Sequence, residues 1–114
     1  MAYNITVVFA DEDGETFSHI GSCDDTAGNA VTWEDGASTL RLPSDSSVYW
    51  IVDVIFTADG TNTHVLKLFV NNKDTGERIF NSMNLGTTVN RQIQSSPIAI
   101  AGGSSIKMIQ AASP

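Results

Sequence analysis

Ser47-Val-Tyr-Trp-Ile-Val-Asp-Val-Ile-Phe-Thr57 reads as a long β-strand that is apolar on both faces. Side chains two residues apart share a face of a strand. Val48, Trp50, Val52, Val54 and Phe56 therefore fall on one side, and Tyr49, Ile51, Asp53 and Ile55 on the other. A strand of a simple antiparallel sandwich has one face in the core and one in water. Two apolar faces predict two buried surfaces, the second supplied by another copy of the chain.

Alternation of the same kind continues on either side of this stretch. Ile5, Val7 and Phe9 alternate within Asn4–Ala10, and Leu40 and Leu42 flank Arg41 before Pro43. His64–Asn71 carries Leu66, Leu68 and Val70 on one face and Val65, Lys67 and Phe69 on the other. Glu77–Phe80, Val89–Gln94, Ile98–Ala101 and Ser105–Gln110 complete the set. Asp13-Gly14, Asp35-Gly36, Asp59-Gly60 and Gly102-Gly103 punctuate these runs as turns, and Asn71-Asn72 with Thr75-Gly76 bracket a short loop. Apolar residues at helical spacing do not persist among the Gly, Ser, Thr and Asn residues. The predicted fold is an all-β, jelly-roll-like antiparallel sandwich with no substantial helix.

A hairpin between Ser47–Thr57 and Thr63–Asn71 gives a consistent register. Trp50, Val52 and Val54 then meet Val70, Leu68 and Leu66 in the core. On the opposite face Ile51 meets Phe69, Asp53 meets Lys67, and Ile55 meets Val65. A slip of one residue would carry Lys67 into the core face. This pairing defines a protomer interface of Tyr49, Ile51, Asp53, Ile55, Val65, Lys67 and Phe69.

With 114 residues the chain is read as one domain over 1–114, with 38–110 as the sandwich core and 1–37 as an arm or long-loop region. Thirteen Asp and Glu against six Lys and Arg give a net charge of −7. The six basic residues are scattered from Arg41 to Lys107, so no cationic face for nucleic acid or an anionic membrane is expected. The single cysteine, Cys23, excludes an intramolecular disulfide. The first residues lack the basic start of a signal peptide, and no run approaches a membrane span, so synthesis in a cytoplasm is expected.

No catalytic constellation is present in the sequence. Asp11-Glu12-Asp13-Gly14-Glu15, with Asp24-Asp25, is the densest acid cluster, but it lacks the full calcium-loop pattern and reads as a solvated loop. His19, Cys23 and His64 are the soft-metal candidates, and they read better as solvent-facing histidines and a small buried thiol. Neither a metal nor another cofactor is expected. Trp33, beside Glu34 and Asp35, has the composition of an exposed sugar-stacking platform, and this ligand-binding site is the alternative to a purely structural role.

From Ser38 onward the chain resembles the trimeric jelly-roll heads of the tumour-necrosis-factor and complement-collagen type. The resemblance is carried by Ser38-Thr39-Leu40-Arg41-Leu42-Pro43, Val48–Val54, Leu66–Asn72 and Gly102-Gly103-Ser104-Ser105-Ile106-Lys107-Met108. It implies a trimer, and it places the two strands of the hairpin above in opposite sheets. Small trimeric β-domains of this build are similar to the decoration (cement) proteins of tailed bacteriophage capsids. That likeness implies a non-enzymatic virion protein with a major capsid or other shell protein as partner. Residues 2–10, or the loop of residues 11–25, are the expected docking arm.

Overall fold

A computed structural model of the chain describes residues 3–23, 28–57, 65–80 and 89–111. Among the described residues nine strands follow one another: β1 (Tyr3–Ala10), β2 (Thr16–Cys23), β3 (Thr32–Trp33), β4 (Leu40–Arg41), β5 (Val48–Thr57), β6 (Val65–Val70), β7 (Lys73–Phe80), β8 (Val89–Ala101) and β9 (Ser105–Gln110). No helix occurs among the described residues, and so none that is long and apolar enough to cross a membrane. The strands form two antiparallel sheets, ordered β3-β2-β1-β5-β8 and β4-β9-β6-β7, packed as the predicted sandwich.

The hairpin between β5 and β6 does not form. β5 pairs with β1 and β8, while β6 pairs with β7 and β9 in the other sheet. The proposed turn falls within residues 58–64, outside the described residues. Two strands with matching alternation suit each other equally well as hydrogen-bonded neighbours or as layers facing across a core.

The face assignment of β5 also changes. Tyr49 and Ile51 point into the core, and so do Val54 and Phe56, each at most 3% exposed. Strict alternation cannot produce that pattern. Val8 pairs with Asp53 and Phe9 with Ile51, leaving Val52 as an extra residue against β1. On the other side Ile51 pairs with Ile98 and Asp53 with Ile93, so residues 94–97 of β8 loop out against the same Val52. A bulge shifts the side-chain alternation by one position. The inward set therefore changes from odd to even positions at Val52, and much of the two-sided apolar character of β5 is one core face read in two phases.

Of the first 37 residues, the described ones, 3–23 and 28–37, belong to the sandwich rather than to an arm. β1 is a central strand, and Ile5, Val7 and Phe9 are essentially inaccessible. β2 pairs along the whole of β1 and sends Phe17, His19, Gly21 and Cys23 to the core side. At Gly21 the missing side chain is a packing requirement. A Cβ there would lie 2.4 Å from Val31 Cγ1 and 3.1 Å from Trp33 Cε3.

One end of the molecule is held by interlocked turns. Asp11 Oδ1 accepts the backbone N–H groups of Asp13 and Glu15, an arrangement in which an Asx side chain closes its own turn. Glu12 Oε1 accepts from Ser46 Oγ, Ser47 N and Ser47 Oγ, tying this turn to the entry of β5. Asn71 and Asn72, with φ of 51° and 67°, make the two-residue turn between β6 and β7. Thr75-Gly76 is not part of that loop: it lies within β7, opposite Leu68, where the pairing with β6 is irregular.

Candidate functional surfaces

The seven residues of the expected protomer interface are divided among three places. Tyr49 and Ile51 belong to the core, at 3% and 0% exposure. Asp53 and Ile55 are half-buried on the outer face of the five-stranded sheet. Val65, Lys67 and Phe69 are half-buried on the outer face of the four-stranded sheet. Asp53 and Lys67 thus stand on opposite sides of the sandwich and are not a cross-strand pair.

The ligand platform is also dissolved. Trp33 is 2% exposed and lies in the core, so its ring cannot stack on a sugar. Its Nε1–H is buried with no hydrogen-bond partner among the described residues. Glu34 receives hydrogen bonds from His19 Nδ1 and, at 2.9 Å, from the backbone N–H of Ile20, so it clasps β3 to the edge of β2. Partial desolvation pushes the Glu34 carboxyl up, but the bond from His19 and those from the backbone outweigh it and hold the group below the ordinary range. Asp35 Oδ1 accepts the N–H of Ala37 at 3.0 Å and closes a turn. A shallow recess of about 190 Å³ lies over this corner, lined by Asn4, Ile20, Gly21, Ser22, Thr32, Trp33 and Glu34. It is smaller than the ~300–1,000 Å³ of ordinary small-molecule sites.

The acid cluster of residues 11–15 is a turn whose first two carboxylates are already engaged by protein donors. Hydrogen bonds from the Ser47 hydroxyl, the Ser47 backbone and Ser46 hold Glu12 below the usual carboxylate range. Among the soft-metal candidates, His19 is bound to Glu34, and Cys23 is buried with Sγ 3.8 Å from the carbonyl oxygen of Asn29. Asp24, Asp25 and His64 lie outside the described residues. No group of three or more His, Cys, Asp or Glu among the described residues could hold a metal ion.

What the fold does assemble is two unlike outer faces. Register places Ile20, Thr6 and Ile55 in one row across β2, β1 and β5, then Ser18, Val8 and Asp53, then Thr16, Ala10 and Trp50. Asp53 is the only Asp, Glu, Lys or Arg in these three strands. Ile20 is 56% exposed, the one large hydrophobic residue so exposed among the described residues.

The four-stranded sheet differs. Its strands carry Arg41, Lys67, Lys73, Arg78 and Lys107, all of the chain's six Lys and Arg except Arg91. Register sets Lys67 between Ile109 and Arg78, and Phe69 between Lys107 and Asp74, on the outer face. Arg78 is bound to Asp74 at 3.0 Å, and this hydrogen bond holds the Asp74 carboxyl low and the guanidinium high. Lys67 and Lys107 have no carboxylate in ion-pair reach among the described residues. Basic residues that are scattered along the chain are gathered because β4, β6, β7 and β9 come from distant segments. Only the strand order could have revealed it.

Comparison with protein-family models, with curated proteins and with solved structures finds no match to this chain.

Proposed function

We propose that the chain is a non-enzymatic structural subunit, a trimeric decoration protein that seats on a virion shell and stabilises it, with the major capsid protein as its partner. The observation that carries this reading is the outer face of the five-stranded sheet. In a chain of net charge −7 its β2, β1 and β5 strands present one carboxylate, exposed Ile20, and half-buried Val8, Trp50 and Ile55, and the sheet's one Lys or Arg, Arg91, lies in the edge strand β8. Apolar surface gathered on one face and kept nearly free of charge favours burial against a partner. Such a subunit works passively. Each seated copy removes apolar area from water across a joint of the shell, at roughly 25 cal/mol per Å² before the costs of association.

The test has two stages. Size-exclusion chromatography with light scattering should give a trimer mass at micromolar concentration. Wild-type protein should then cosediment with capsid shells of the same source, and the Ile20→Asp, Ile55→Asp double variant should fold but fail to bind them. A monomer at every concentration, or binding indifferent to both substitutions, would sink this reading.

A further inference from the structure

The acidic residues are segregated as sharply as the basic ones. Among the described residues, Asp53 is the only acid in the strands of the five-stranded sheet, Asp74 and Glu77 lie in β7, and the other seven acids lie between strands. At the end of the molecule formed by the turns of residues 11–15 and 43–47, Asp11 and Glu12 are committed to internal hydrogen bonds. Asp13, Glu15 and Asp45 face solvent with no side-chain partner among the described residues. On the four-stranded sheet, Lys67 and Lys107 stand beside Phe69 and Ile109 with no ion pair among the described residues, and the one carboxylate on which Lys67 acts, Asp74, is already bound by Arg78.

We infer that these two surfaces dock on each other between copies. The acidic turn end of one protomer seats on the cationic outer face of the four-stranded sheet of the next. This rests on the reading of the chain as a self-associating subunit, and it names the contact. An isologous two-fold contact through the same sheet would set Lys67 and Lys107 against themselves, and like charges across an interface are penalised. A head-to-tail contact joins unlike surfaces, and a rotation that closes after three copies makes a ring. Phe69 and Ile109 give the contact an apolar centre, and the lysines and acids give its register. The outer face of β2, β1 and β5, with Asp53 as its one carboxylate, remains available for the shell.

Charge reversal tests the contact in the full chain, with circular dichroism and melting curves confirming that each variant folds. Raising salt from about 50 mM to about 500 mM should weaken wild-type self-association tenfold or more. Lys67→Glu with Lys107→Glu should give monomers. Asp13→Lys with Glu15→Lys should also dissociate the protein, although it lowers the net negative charge and so relieves general repulsion. All four substitutions together restore the original net charge and exchange the two signs, and this variant should assemble again. Assembly of the Asp13→Lys, Glu15→Lys variant at or above the wild-type level overturns the inference, as does an oligomer indifferent to salt and to both reversals. In those cases the oligomer survives and the proposed function stands. A wild-type monomer removes both.

Discussion

β5, between β1 and β8, changes its inward set at Val52, whereas β6, between β7 and β9, keeps Leu66 and Leu68 inward without a break. In sequence the two strands look alike, each apolar on both faces. In β5 the impression comes largely from a bulge, which brings Tyr49 and Ile51, then Val54 and Phe56, to the same core. In β6 it comes from side chains that do lie outside, with Val65 and Phe69 flanking Lys67. An apolar count along a strand therefore measures outer hydrophobic surface only once the bulges are located.

The sharpest way to break this comparison is to place the same charge in both strands. Ile51→Asp should unfold the protein, at a cost above about 4 kcal/mol, because it buries a carboxylate with no partner in the core. Phe69→Asp should cost the protomer no more than about 1 kcal/mol in urea denaturation followed below the concentration at which copies associate, as a surface change does. Equal losses would mean that β6 has no outer face.

The ends of the two strands are held differently, which permits smaller tests. The turn leading out of β8 lies against the entry of β5 so closely that a Cβ on Gly102 would fall 1.9 Å from the carbonyl oxygen of Ser46. Gly102→Ala should cost about 1–3 kcal/mol, the range for overpacking. The turn leaving β6 needs only positive φ. Asn72→Ala should cost about 1 kcal/mol, and Asn72→Gly should cost nothing or stabilise. Thermal melts of the three variants would order them, and an Asn72→Ala loss exceeding that of Gly102→Ala would reverse the assignment.

The smallest effect concerns acid. Glu12 holds the entry of β5, and its folded pKa is lowered by the hydrogen bonds from Ser47 and Ser46. Between the folded and unfolded values the unfolded chain binds more protons, so this stabilisation is complete above about pH 4.3 and is lost as pH falls through the folded value. Glu34 and Asp74 act in the same direction. Melting temperature should therefore fall on acidification below about pH 5, and Glu12→Gln should flatten that fall by a few degrees without abolishing it. An unchanged slope would show that the Glu12 contacts do not hold β5.

Several elements are legible in the sequence alone. Strict alternation marked β1, β6 and β9 nearly to their ends, and the two runs around 89–94 and 98–101 bracket the looped-out residues of β8. β2 was not legible, because its inward residues are Phe17, His19, Gly21 and Cys23, a set without the repeated aliphatic residues that announce a strand. Trp33 was misread for a related reason. Its polar neighbours Glu34 and Asp35 suggest exposure, while Gly21, twelve residues earlier, vacates the space that its ring fills.

The sequence by itself determined an all-β sandwich and the position of most strands, because alternation and turn chemistry act over a few neighbouring residues. Only the tertiary structure decided the partners of Ser47–Thr57, the change of face at Val52, and the gathering of scattered lysines and arginines on one sheet. Those outcomes depend on which distant segments become neighbours. Many pairings satisfy the local pattern, and the packing of two layers around a shared core selects among them.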